Sequence, residues 1–302
     1  MKKLTLILLI CSLALAAVLA QRLGGSGGRS YGRGRYSDFE SARTAREITQ
    51  HGNETPSWTN ASGFESDVFT FLRIKRDSRG YGGYGGYRGY GRSGGPWWTD
   101  APDSDLNLAY RLQQMTALKV DPDGRFLRLT EKELARYPFI YMVEPGSLYL
   151  TDEEIVALRT YLLNGGFLWL DDFWGDSEWN NVEQVMKQVF RDRDFIELEI
   201  TNPLYHCVFD IKAKSQIPNV EVGTASEYTH VTWEYNHDGD TRTVHHRAIF
   251  DDKGRLMVLA THNTDNGDGW EWEGDNHYYF EHFAEKIAYP LAVNVIFYVM
   301  TH

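Results

Sequence analysis

Three acidic segments carry the side chains of this sequence best suited to chemistry. Glu144 follows the apolar run Phe139–Val143. Asp171 and Asp172, with Trp174 close behind, follow Phe167–Leu170. The stretch His262-Asn263-Thr264-Asp265-Asn266-Gly267-Asp268-Gly269-Trp270-Glu271 follows Arg255–Ala260. Each apolar run reads as a strand, so each polar group falls at a carboxyl end, where open parallel sheets bind ligands. Clustered carboxylates with a histidine can hold a hard divalent cation or act as general acids and bases. The candidate pocket is therefore Glu144, Asp171, Asp172, Trp174, His262, Asn263, Asp265, Asp268, Trp270 and Glu271. Asp172, His262 and Asp265 are the candidate ligands of a divalent cation. No residue is assigned a catalytic role. The same residues have a second use: Asp171-Asp172 can cap the helix or loop after the strand, and 263–271 can be an Asx/Gly turn. That run lacks the alternating oxygen ligands and distal glutamate of a calcium loop.

Other chemistry is weaker. His245 and His246 are neighbours on a strand and point to opposite faces, so they cannot serve one site. His206 and Cys207 diverge in the same way, against a Cys/His nucleophile. No G-x-S-x-G elbow, P-loop, dinucleotide fingerprint or H-E-x-x-H occurs.

The positioning elements alternate. Val68–Lys75 reads as a buried strand and Asp103–Met115 as a helix with Asp103 as its cap. Phe126–Leu129 is a short strand, and Thr130–Arg136 a helical turn begun by Thr130. Thr151-Asp-Glu-Glu154 is a capping box for a helix with Ile155, Leu158 and Leu162 on one face, closed by Gly165-Gly166. A helix from about Trp179 to Phe190 separates Phe167–Leu170 from a strand at Phe195–Ile200. Val208–Ile211 reads as a further strand. Thr243–Phe250 and Arg255–His262 form a hairpin through Asp251-Asp252-Lys253-Gly254. The final apolar stretch, Ile287–Met300 with Pro290 near its start, reads as a buried helix. Strand–helix alternation predicts an α/β fold: a mainly parallel sheet, helices on both faces and an added antiparallel hairpin.

Compartment is read from residues 1–20. Lys2 and Lys3 precede an apolar core, and Val18-Leu19-Ala20 offers small residues for cleavage before Gln21, as in a secretory signal. The expectation is an exported protein, periplasmic or extracellular, with no transmembrane segment after cleavage. Cys207 is then the sole cysteine, so no internal disulfide forms. Residues 21–65 are Gly-, Ser- and Arg-rich and read as a disordered basic arm. Residues 66–302 read as one domain. It is interrupted at 80–95 by a low-complexity loop with tyrosines at 81, 84, 87 and 90. Charge is asymmetric. Residues 1–99 carry 14 Lys/Arg against 7 Asp/Glu, a net of +7 within a chain total of −11. The remainder is −18 and repels phosphate, which excludes a nucleic-acid-binding body.

A set of motifs resembles a known family. They are Phe69-Thr-Phe-Leu-Arg73, Trp98-Thr-Asp100-Ala-Pro102 with Asp105-Leu-Asn107-Leu, and Tyr137-Pro138-Phe139-Ile-Tyr141. Leu158-Arg-Thr-Tyr-Leu162 and Gly165-Gly-Phe-Leu-Trp-Leu-Asp-Asp172 with Trp174-Gly175 come next along the chain. The last are His262-Asn-Thr-Asp265, Gly267-Asp-Gly-Trp-Glu271 and Thr301-His302. Together they resemble the bacterial domain-of-unknown-function family 4159 over about residues 67–302. The resemblance implies a flavodoxin-like fold similar to class I glutamine amidotransferases. By that analogy Gly165–Asp172 leads to the nucleophile elbow, yet it ends in two aspartates with no Cys or Ser. His262 would match the strand of the catalytic histidine, and without a thiol it cannot run covalent amide hydrolysis.

The expected function is a non-catalytic ligand- or protein-binding module of the cell envelope with a degenerate amidotransferase-like pocket. Its partner would be an envelope protein or a glycan. The alternative is a metal-assisted or acid–base hydrolase using the carboxylate/His cluster.

Overall fold

The computed structural model describes residues 35–48, 55–63, 67–77 and 96–302. The signal segment and the Gly/Tyr-rich loop at 80–95 lie outside the described residues. A short helix covers Arg35–Ser41.

The strands are β1 (Leu72–Lys75), β2 (Arg125–Arg128), β3 (Phe139–Val143), β4 (Phe167–Asp171), β5 (Ile196–Glu197), β6 (His245–Phe250) and β7 (Leu256–His262). They form one seven-stranded sheet in the order β2-β1-β3-β4-β7-β6-β5. β2, β1, β3, β4 and β7 are parallel neighbours. β6 and β5 complete the sheet antiparallel. β3, β4 and β7 are buried along their whole length, as parallel strands covered on both faces must be.

The helices are α1 (Asp103–Met115), α2 (Asp152–Leu163), α3 (Gly175–Val189), α4 (Val220–Thr229), α5 (Asn266–Glu271) and α6 (His277–Thr301). Side chains alternate across the sheet. Phe71, Tyr141, Trp169 and Leu259 pack on one face with Leu108 and Leu112 of α1, Trp270 of α5 and Leu291 and Ile296 of α6. Ile74, Ile140, Met142, Leu168, Leu170 and Val258 pack on the other with Leu158 and Leu162 of α2 and Val182 and Met186 of α3. Two apolar layers thus flank the sheet, and the expected α/β class is present. The capping box is also present. Thr151 Oγ1 accepts from Glu154 N at 3.3 Å, and Glu154 Oε2 accepts from Thr151 N at 2.9 Å. The 251–254 turn joins β6 to β7, and Pro290 stands in the first turn of the terminal α-helical stretch, Tyr289–Thr301.

Several expectations need correction. Asp103 does not cap α1: Pro102 is the cap position and Asp103 is the first, buried, helical residue. The turn at Lys132–Arg136 starts after Glu131, whose side chain accepts from Arg128 N, rather than at Thr130. Val208–Ile211 is not a strand. Asn294 of α6 accepts from Phe209 N and donates to Phe209 O, both at 2.8 Å, taking the bonds a neighbouring strand would need. Phe195–Ile200 shrinks to two residues at the antiparallel edge. β7 holds the inner position beside β4, while Glu197 meets Lys214, His245 and Arg247 at the rim. Part of the stretch 21–65, expected to be disordered, is ordered against the rest of the chain. Ala42, Ala45 and Ile48 are buried, Ala45 N donates to Asp123 O and Phe126 N to Arg43 O. Arg46 binds the carbonyls of Thr55 and Pro122.

By length and composition α6 could cross a membrane, but 56% of its apolar window is buried inside this fold. Asn294 within it is fully buried and satisfied by Phe209.

Candidate functional site

Three parallel strands in a row end the same way. The residue after β3 is Glu144 (φ 47°), after β4 Asp172 (φ 57°) and after β7 Asn263 (φ 61°), all left-handed without being glycine. Asp100, in the turn before α1, is a fourth (φ 63°). Such conformations cost about 1–3 kcal/mol each and cluster at functional sites. Here they gather along one edge of the sheet.

Asp100, Asp172 and Asp265 each offer a carboxylate oxygen, the three lying within 4.8 Å of one another. Asp100, Asp268 and Glu271 do the same. All five residues are buried. Asp172 Oδ1 accepts from Trp174 Nε1 at 3.0 Å. Asp265 caps α5 through Asp268 N at 2.7 Å. Asp268 Oδ2 accepts from Val220 N at 2.6 Å. Asp100 Oδ2 is buried and receives no hydrogen bond. It points at Gly267, where an added Cβ would come within 2.0 Å of it. Glycine at 267 therefore makes room for the Asp100 carboxylate.

The electrostatics follow from burial and like charge. Burial, then Asp268 and Glu271, push Asp100 well above the usual carboxylate range. Burial, then Glu144 and Asp100, do the same to Asp172. Asp265 is raised by burial, Asp172 and Asp268. Burial lifts Asp268 to about 6 and Glu144 to about 7. Glu234, buried and accepting from Asn219 N at 3.0 Å, adds to the field on Asp172 and Asp268.

Asp171 sits one residue before Asp172 and behaves differently. It accepts from Tyr141 Oη at 2.8 Å, from Thr261 Oγ1, and from Asn266 N and Nδ2 at 3.0 and 2.8 Å. Four donors make it a buried structural tie between β3, β4, β7 and α5. Adjacent residues at a strand end face apart, so one aspartate is saturated by the core and the other is left among like charges.

His262 does not join the cluster. Its Nε2 meets Gly175 O at 3.0 Å and its Nδ1 meets Arg247 Nη1 at 3.2 Å. Its ring stacks on Phe173 at 4.9 Å and His245 at 5.8 Å. Burial, with Gly175 opposing it, holds the imidazole near 3. Along β7, Thr261 turns toward Asp171 and His262 toward the opposite face, which removes it from the expected metal trio. Asp100 takes that place. Asn263 ties loops together, accepting from Gly175 N and donating to the carbonyls of Asp240 and Thr243. Trp270 is core, its ring within 5.5–6.1 Å of those of Trp169, Tyr141 and Phe71. Trp174 lies beside the carboxylates, its Nε1 donating to Asp172 Oδ1. Cys207 contacts the Leu204 and Asn294 carbonyls, while His206 binds Asp210 and Ile200 O; they form no dyad.

Asp100 and Glu234 escaped the sequence reading. Asp100 lies far along the chain from the end of β1 and follows no strand directly; Trp98-Thr-Asp100-Ala-Pro102 stood out only as a family motif. Glu234 belongs to the irregular stretch 230–244. His237 bridges Glu178 Oε1 at 3.1 Å and Glu234 Oε2 at 3.5 Å there. These partners outweigh burial and raise His237 to about 9. Gly175 (φ 72°) lets this stretch approach, since a Cβ would meet Asp238 O at 2.0 Å.

The family model described as Domain of unknown function (DUF4159) matches residues 86–300, and the chain belongs to that family. No curated protein matches the sequence.

Proposed function

We propose that this member of the family is an exported, periplasmic or extracellular binding module whose ligand is engaged through a divalent cation at the carboxyl edge of the sheet. The observation that carries the reading is the Asp100–Asp172–Asp265 trio with its unbonded Asp100 Oδ2. Buried carboxylates gathered without cationic partners must either hold protons or hold a metal. Carboxylate oxygens suit Mg²⁺, Mn²⁺ or Ca²⁺. The buried guanidinium of Arg73 is engaged by Asp105 at 2.7 Å. The partner would be a hydroxyl-rich glycan or an envelope protein.

The finer fold reading is flavodoxin-like with a degenerate amidotransferase pocket. The parallel order β2-β1-β3-β4-β7 supports it, since it follows the 2-1-3-4-5 pattern of that class. So does Asp172, left-handed at a strand-to-helix turn where a hydrolase elbow carries its nucleophile. A carboxylate at that position and a histidine engaged elsewhere argue for binding over covalent hydrolysis.

The test is equilibrium dialysis of the chelator-stripped full chain against Mn²⁺ or Ca²⁺, with Asp172→Asn and Asp265→Asn beside it. Retained cation in the native chain, reduced in both variants, is expected. A chain that retains no divalent cation overturns the reading. Cation-dependent retention on glycan arrays or envelope extracts then separates the two partner classes.

A hydrolase is the second reading, favoured by Glu144, which stands left-handed at the end of β3 beside this edge and is raised to about 7. Turnover of ester, amide or glycoside substrates that disappears in Glu144→Gln would support it; equal turnover by that variant would remove it.

A further inference from the structure

The two carboxylate trios share one member and otherwise come from different places. Asp172 follows β4 and Asp265 precedes α5, whereas Asp268 and Glu271 lie three residues apart on α5 itself and so face one side of it. Asp100 belongs to both trios. Asp100 is 7% exposed; its Oδ2 receives no hydrogen bond and is aimed at Gly267, one of the two residues between Asp265 and Asp268. It therefore points at the junction of the two groups.

We infer that this edge holds two hard divalent cations, one in each trio, with the Asp100 carboxylate bridging them. The inference rests on the cation-binding reading above and extends it from a mononuclear to a binuclear centre. Charge supports it. Each trio gathers three carboxylates, and a dication in each offsets like-charge repulsion at both places rather than at one. A carboxylate has two oxygens and can span metals about 3.5–4 Å apart. All donors are carboxylate oxygens, with no imidazole or thiolate in either trio. That selects Mg²⁺, Mn²⁺ or Ca²⁺ over zinc or copper.

The experiment uses Mn²⁺ alone on the chelator-stripped full chain. Bound metal is counted per chain after dialysis, and the electron paramagnetic resonance spectrum is recorded at saturation. Two Mn²⁺ per chain with an exchange-coupled spectrum are expected. Glu271→Gln should fall to one Mn²⁺ with the six-line spectrum of an isolated ion, and Asp172→Asn should also fall to one. One uncoupled Mn²⁺ in the unmodified chain overturns the binuclear centre and leaves the cation reading standing. No bound Mn²⁺ overturns both. Two ions that remain bound in Glu271→Gln overturn the assignment of the second position. The count on the unmodified chain decides the matter even where a variant fails to fold.

Discussion

Two buried charge clusters lie close together in this molecule and are built on opposite rules. In the first, Arg73 of β1 meets Asp105 of α1, both wholly shielded from solvent. Arg73 Nε reaches both Asp105 oxygens at 3.1 Å and Nη2 reaches Oδ2 at 2.7 Å. Ser104 Oγ and the Thr99 carbonyl take further guanidinium donors, at 2.8 and 2.7 Å. Charge and hydrogen bonds both balance. In the second, Asp100, Asp172, Asp265, Asp268 and Glu271 crowd together, acid against acid. A fold tolerates buried charge when it is paired. The first cluster satisfies that rule within the chain. The second sets carboxylates side by side, and burial with like-charged neighbours raises Asp100, Asp172, Asp265 and Asp268 above the usual carboxylate range.

Breaking the balanced cluster should have the largest effect. Asp105→Ala leaves Arg73 buried without its counter-charge and should cost about 3–5 kcal/mol of stability, measured by urea unfolding. A cost below about 1 kcal/mol would mean that Arg73 is neutralised by the acidic cluster instead.

Next comes the space reserved for Asp100. Gly267→Ala would put a Cβ within 2.0 Å of Asp100 Oδ2. We expect a loss of about 1–3 kcal/mol from overpacking together with weaker cation retention. Unchanged retention would detach Asp100 from the site.

The unbalanced cluster should respond with the reverse sign. Asp172→Asn keeps an oxygen for Trp174 Nε1 and removes one like charge. In chelator at pH 8 it should stabilise the protein by about 1 kcal/mol, on the scale of 1.4 kcal/mol per pH unit of perturbation. In saturating Mn²⁺ it should destabilise.

The same contrast appears against pH. Asp268 rises from 3.8 to about 6 and Glu144 from 4.5 to about 7 on folding. The folded chain then binds protons that the unfolded chain has released, so cation-free stability falls as pH rises from about 4 to about 7. His237 is raised from 6.5 to about 9. Its contribution is complete below pH 6.5 and is lost as pH climbs through 9. Thermal melting with and without Mn²⁺ checks both limbs: the cation should flatten the lower one and leave the upper one in place.

The smallest effect is a control. Thr151→Ala removes an exposed cap of α2, a member of neither cluster, and should cost about 0.5–1 kcal/mol without altering cation retention.

Periodicity and capping made most of the scaffold legible. Phe139–Val143 and Asp103–Met115 stand where their patterns put them, and Thr151–Glu154 starts α2, because these signals are local. The misses are non-local. Val208–Ile211 has a strand's composition, but Asn294, far along the chain, takes its hydrogen bonds. α4 carries no strong apolar period, although Asn219 caps it through Val222 N at 3.0 Å; Pro218-Asn219 before Val220-Glu221 was the available signal. At the candidate site, the strand-end rule pointed to Asp172, Asp265, Asp268 and Glu271, which the fold gathers with Asp100, because a carboxyl end is a position in sequence.

The sequence alone thus carried the α/β alternation, the family motifs and the acidic character of the strand ends, since all three are read from neighbouring residues. Which carboxylates meet was set by the fold. Side-chain direction at a strand end flips with every residue, so Asp171 is tied into the core while Asp172 faces the other carboxylates, and His262 turned away. Asp100 entered through the packing of α1 beside β1, a contact between segments that no spacing along the chain encodes.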